Sequence, residues 1–184
     1  MRERPIALLE LAVLGGESLR LWRDYFPAGP IVGLDQNVVH ITDATGRIHI
    51  YQGQQDDVAL LTHISATHAP EGWDVVIDVA AHVAAPTRRA FWQLFEYLKP
   101  GGVYSIEDWG TGYWADWPDG ERPQWWRGPT RTAGMVGFVK ELVGEVGAMD
   151  LTRGRSRQPP GRRSRFQSMV LAHGLCVVVK ARAA

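Results

Sequence analysis

The chain has 184 residues, 45% hydrophobic and 22% charged, a balance that suits one soluble domain with a substantial core. Its formal net charge is zero, so no global field directs it toward nucleic acid or a membrane surface. A single cysteine, Cys176, rules out an internal disulfide framework and fits a reducing compartment; within "LCVVV" it is expected to be a buried packing residue.

The N-terminal "MRERPIALLELAVLGG" has the look of a signal peptide, but Glu10 interrupts its apolar stretch and "GGESLRLW" continues as domain sequence. No segment reaches the roughly 20 apolar residues that span a bilayer. The expected location is cytoplasmic. Residues 6–14, "IALLELAVL", predict a buried first strand, followed by Gly15-Gly16 and a helix over 18–26. "PIVGLD" (30–35) predicts a second strand ending in an acid, and "IHIYQG" (48–53) a third, with a helix over 56–69 after it. "WDVVIDVA" (73–80) is the fourth strand. "PTRRAFWQLFEYLKP" (86–100) is an amphipathic helix closed by Pro-Gly-Gly, and "VYSIED" (103–108) is the fifth strand. Nearly continuous apolar strands alternating with helices imply a parallel sheet covered on both faces.

After residue 109 the pattern changes. Residues 109–131 hold five of the eight tryptophans among Gly and Pro, a helix is expected over about 132–147, and an arginine-rich loop occupies 153–165. "FQSMVLAHGLCVVVKA" predicts a hairpin turning at Ala172-His173-Gly174. The expected fold is α/β: one Rossmann-like, doubly wound domain over 1–184, with a mostly parallel seven-stranded sheet and a C-terminal antiparallel hairpin.

Ligands of such sheets bind beyond the carboxyl ends of the strands, at the switch point of strand order. Gly15 and Gly16 let a ligand approach the backbone there, and Asp35, about 20 residues on, is placed to hold ribose hydroxyls. Each feature also has a plain reading, as a tight turn and a loop aspartate. Together they indicate an adenosine-containing cofactor, a nicotinamide dinucleotide or S-adenosylmethionine. The amides of "QGQQDD" (52–57) suit an adenine edge, while Asp56 or Asp57 suits a helix cap. The pyrophosphate fingerprint GxGxxG is absent, with Ala12 in its place, which counts against a dinucleotide.

"LLELAVLGGESLRLWRDYFP", "RIHIYQGQQDD", "DVVIDVAAH", "LFEYLKPGGVYSIEDWGTGYW" and the closing hairpin together resemble the metal-dependent sugar O-methyltransferases, which methylate macrolide deoxysugars and related glycosides with S-adenosylmethionine. The most specific part is "LKPGGVYSIED" with its "YW" continuation. The resemblance implies a class I S-adenosylmethionine-dependent O-methyltransferase with a saccharide or other small-molecule acceptor. Its cofactor site would comprise Glu10, Gly15, Gly16 and Ser18 on the first loop, Asp35, Gln55 and Asp56 on the next two, and Asp78 on the fourth. His82 would be the general base, and Glu107 and Asp108 would hold magnesium.

The family's loop after strand 4 typically reads Asp-Asp-Gly-Ser-His, and its second aspartate, a metal ligand, falls here on Val79. Three readings follow: weakened metal binding, metal-free catalysis by His82, or a catalytically impaired protein that still binds S-adenosylmethionine or a partner. Asp78 is adjacent, but strand alternation points it to the opposite face. The family's first loop has glycine at Ala12, and family members carry helical sequence before strand 1; a partner subunit of a homo-oligomer, or the Trp-rich segment, would cover the pocket instead. The tryptophans Trp109, Trp114, Trp117, Trp125 and Trp126 suit stacking on sugar rings or a satellite core under the loop. Arg153, Arg155, Arg157, Arg162, Arg163 and Arg165 read as a solvated loop, with an anionic acceptor or nucleic acid as the sharper alternative.

Overall fold

A computed structural model describes residues 4–121, 133–153 and 161–182. One sheet holds β1 (Leu8–Leu11), β2 (Ile31–Asp35), β3 (Ile48–Gln52), β4 (Trp73–Asp78), β5 (Leu98–Glu107), β6 (Phe166–Ala172) and β7 (Leu175–Lys180). Their order is β3-β2-β1-β4-β5-β7-β6, parallel from β1 to β5, with β7 antiparallel to β5 and to β6. This is the seven-stranded α/β sheet with a closing hairpin that the sequence predicts. The helices are α1 (Glu17–Tyr25), α2 (Val58–His68), α3 (Ala84–Glu96), α4 (Gly134–Val146) and the short α5 (Ala148–Leu151). Trp125, Trp126, Arg155 and Arg157 lie outside the described residues.

Two boundaries move for local reasons. β1 stops at Leu11, short of the expected 6–14, because Ala12 and Leu14 take positive φ of 64° and 49°. Helix α3 ends at Glu96, and "LKPGG" opens β5 rather than closing the helix. The pairing with β4 shifts there, from Trp73–Leu98 to Val75–Val103, and Gly101 takes a φ of +79°. A side chain at Gly102 would lie 3.0 Å from the carbonyl of Trp73, so the irregularity needs glycine.

Alternation along the strands sorts the core. Leu9, Leu11, Val32, Leu34, Val76, Tyr104 and Ile106 pack with Leu61 of α2, Phe91, Leu94 and Phe95 of α3, and Phe138 and Leu142 of α4. Ile6, Leu8, Ile31 and Ile77 turn to the other side, where Leu19 of α1 and Phe26 meet them. Cys176 is buried in the larger core, which pushes its thiol up to about 12. The expectation of two covered faces holds only in part. Helix α1 packs on β2 and β3, and α2 to α4 pack on the opposite face. Among the described residues the α1 face beyond β4 therefore stays open: Val75, Val103, Val177 and Val179 are half-buried and Val170 is 59% exposed.

Candidate active site

β1 and β4 are neighbours although they are not consecutive, so the strand order reverses between them. Leu11 pairs with both Leu34 and Asp78, and Asp78 with Ile106, so the carboxyl ends of four strands lie level. Three cavities open there.

The first, of about 150 Å3, is lined by Ala12, Leu14, Asp35, Asn37, Gln54 and Gln55 with Leu34, Gln36, Gly53, Ala80 and Ala81. Asp35 is 5% exposed, and its Oδ2 accepts the backbone N–H groups of Val13 (3.0 Å) and Leu14 (3.1 Å). Its Oδ1 accepts the Asn37 N–H at 2.8 Å. Consecutive amides cradling an anion form a nest, and here the anion belongs to the chain itself. This clamp holds Ala12 and Leu14 in left-handed conformations that cost about 1–3 kcal/mol each in non-glycine residues. At Gly16, with φ 80°, an added side chain would collide with Ile41.

The second cavity, of about 330 Å3, is lined by Glu10, Ser18, Trp22, Ile77, Val79 and Glu107 with Ala12, Val13, Leu14 and Glu17. Alternation explains the grouping: Glu10 continues the row of Ile6 and Leu8, and Val79 that of Ile77. The carboxylate of Glu10 accepts Ser18 Oγ at 2.6 Å and Trp22 Nε1 at 2.8 Å. Burial raises its pKa, the two hydrogen bonds oppose this, and the charge of Glu107 adds to it.

The β4–α3 turn is strained, with φ of 41° at Ala81 and 48° at His82, as is Asp108 at 50°. Thr111 Oγ1 (3.1 Å) and Trp117 Nε1 (2.8 Å) both donate to the His82 carbonyl and hold the turn. His82 Nδ1 lies 3.2 Å from the Glu107 carbonyl, which can only accept, so Nδ1 carries the proton and Nε2 of the neutral ring keeps a lone pair. Nε2 stands 3.9 Å from Asp108 Oδ2. Asp108 opens into the third cavity, of about 200 Å3, with Trp109, Gly110, Thr111, Tyr113, Trp114, His173 and Gly174. Trp109 Nε1 donates to the Ala172 carbonyl at 3.1 Å and ties this wall to the β6–β7 turn.

Of the residues expected to bind a cofactor, Asp35 and Gln55 line the first cavity, and Glu10 and Ser18 the second. Gly15 and Gly16 shape the turn behind both. Two of the expected cofactor residues lie elsewhere in this structure. Asp56 lines none of the three cavities and pairs with Arg89, while Asp57 caps α2 by accepting the Leu60 N–H at 3.0 Å. Asp78 points away from them into the larger core, 1% exposed, where it accepts the Tyr104 hydroxyl (3.1 Å) and the Ala80 N–H (3.2 Å). Burial pushes its carboxyl up to about 7. Gln54, one of the amides expected at an adenine edge, lines the first cavity. The sequence reading missed Asn37 and the Val13 and Leu14 amides, which carry no residue-type signal, and His173, whose place in a wall depends on the hairpin.

Glu107 and Asp108 are adjacent, but they open into different cavities, and Val79 beside Glu107 offers no donor. Among the described residues no group of three His, Cys, Asp or Glu could hold a metal ion. The donor set present does not make an assembled magnesium site.

The chain is 32% identical to the mycinamicin VI 2''-O-methyltransferase of Micromonospora griseorubida over 189 aligned residues, which take in 98% of this chain and 45% of that protein. It is 30% identical to the demethylmacrocin O-methyltransferase of Streptomyces fradiae, covering 97% of this chain and 45% of the relative. The MycE methyltransferase from the mycinamycin biosynthetic pathway, solved in complex with Mg and SAH (S-adenosylhomocysteine), matches 98% of this chain and 46% of its own, at a TM-score of 0.81 and 31% identity. The chain is thus similar to sugar O-methyltransferases over part of their length and shares the fold of that part. No protein-family model matches it. It spans about half the length of these relatives. Among the described residues no helix is long and apolar enough to cross a membrane.

Proposed function

We propose that the chain serves an S-adenosylmethionine-dependent O-methyltransferase that methylates a sugar hydroxyl of a small glycoside. One observation carries the choice of cofactor. The Val13 and Leu14 amides, which a pyrophosphate would need, are already taken by Asp35, and the adjoining cavity is walled by carboxylates. A dinucleotide would find its amides occupied and its charge opposed; a sulfonium and an ammonium would meet neither obstacle. The adenosine half then belongs in the first cavity, beside the amides of Asn37, Gln54 and Gln55, with Asp35 near the ribose. The amino-acid half belongs beside Glu10 and Ser18.

Bound S-adenosylmethionine supplies an electrophilic methyl group on sulfur. The His82 Nε2 lone pair would take the proton that the acceptor hydroxyl gives up on methylation, the methyl passing from the sulfonium to that oxygen. Asp108 faces the imidazolium so formed, and Trp109, Tyr113 and Trp114 offer aromatic faces to the sugar ring. The relatives' names favour this reading over an impaired remnant, and the MycE protein has also been solved with Mg, SAH and Mycinamycin VI. The open valine face suits a second copy of the chain: it is aliphatic, the net charge is zero, and Val79 and Glu107, walls of the second cavity, lie on it.

Calorimetry with S-adenosylmethionine and with NAD tests the cofactor: the first should bind and the second should not, and Asp35→Ala should weaken the first by about 1–3 kcal/mol. Methyl transfer to a rhamnosyl glycoside should fall about 10²–10⁴-fold in His82→Ala with cofactor affinity intact. A His82→Ala protein that also loses the cofactor would make His82 a structural residue.

A further inference from the structure

We propose that Leu14 gates the cofactor groove, dividing it so that the adenosine half of the ligand enters more readily than the whole. The proposal rests on the cofactor reading above and concerns this chain's own departure within it. The walls of the first and second cavities share only two residues, Ala12 and Leu14. A ligand long enough to occupy both must cross the ridge these two make. Crossing a strand-to-helix turn closely calls for bare backbone, which is why glycine suits such places. Here the backbone takes glycine's left-handed shape without glycine: φ is 64° at Ala12 and 49° at Leu14.

The side chain of Leu14 is 82% exposed and belongs to neither core cluster, so its placement is not explained by packing. What holds it is Asp35, through the Leu14 N–H. The clamp that removes the amides from a ligand therefore also raises an isobutyl group between the two halves of the groove. Ala12, with one methyl group, makes the low part of the ridge and Leu14 the high part.

Binding of S-adenosylmethionine and of free adenosine, measured by calorimetry on the wild type, Leu14→Ala and Leu14→Gly, tests the gate. Adenosine needs only the first cavity and should bind all three proteins equally. S-adenosylmethionine should bind both variants about tenfold more tightly, equivalent to about 1.4 kcal/mol. Because Leu14 is exposed, neither variant removes core packing. A gain confined to Leu14→Gly would assign the effect to backbone strain and overturn the gate. So would an equal gain for adenosine, which would place the obstruction in the first cavity alone. Adenosine binding with no gain for S-adenosylmethionine would overturn the gate and leave the cofactor reading standing. If neither ligand bound any of the three proteins, the cofactor reading itself would fall.

Discussion

At the scale of single residues, neighbours one position apart do opposite things. Asp78 faces the core and Val79 faces the second cavity, because alternation leaves a strand no other choice. Val79→Asp should add a carboxylate beside Glu10 and Glu107. Without metal the three acids repel, so the variant should melt below the wild type. With magnesium it should gain stability that the wild type does not, since the ion gains both an oxygen ligand and a neutralising charge. A magnesium titration of Tm checks this; coincident curves would place Val79 outside the site. Asp78 supports a pH prediction. Its folded pKa, about 7, lies above the 3.8 of an ordinary aspartate, so the folded state binds more protons than the unfolded state in that window. Its stabilising contribution is complete below about pH 4 and is lost as pH rises to 7. Asp78→Asn should remove this slope, at most about 1.4 kcal/mol per pH unit, in denaturant titrations from pH 4 to 8.

At the scale of elements, part of the arginine-rich loop proves to be structural. Glu145 of α4, 7% exposed, accepts Arg162 Nη1 at 2.7 Å and the Arg165 N–H at 2.8 Å. Arg165 also stacks its guanidinium over Trp92 of α3, 4.1 Å from the ring centroid. The loop thus fastens α3 and α4 to the start of β6, and these two arginines are committed to the fold rather than to an anionic partner. The Arg162 hydrogen bonds hold the Glu145 carboxyl down at about 2, so its stabilisation is present above about pH 4.5 and is lost as pH falls toward 2. Glu145→Gln should cost about 1–2 kcal/mol at pH 7, a range reduced because Arg162 is half exposed, and little at pH 3. Chemical denaturation at both pH values measures it; an equal cost at each would mean the charge is irrelevant.

At the scale of the whole molecule, the open valine face is the feature a lone copy leaves unexplained. Parallel sheets are ordinarily covered on both sides, and among the described residues the α1 face is covered from β3 to the end of β4 and open beyond it. Val177 pairs with Ser105 on one side and Val170 on the other, in the middle of the open region. With a second copy seated there, Val177→Lys would bury an unpaired charge, which costs several kcal/mol. Sedimentation should show a wild-type dimer and a folded monomeric variant, a dissociation constant raised about a hundredfold or more. A wild type that stays monomeric at high concentration would show that a second copy does not cover the face.

Seven strands, their alternation with helices, the closing hairpin and the buried Cys176 were legible in the sequence, because apolar periodicity and glycine-bearing turns are local signals. So were the acids and imidazole at the strand ends, since residue type and position after an apolar run suffice to name them. Tertiary structure alone decided what those groups face. It separated Glu107 from Asp108, occupied Asp35 with the Val13 and Leu14 amides, and brought His173 to a wall shared with Asp108. Each of these depends on sheet register, on a backbone dihedral or on a contact between residues distant in the chain, and none of those quantities is written in the identity of any one residue.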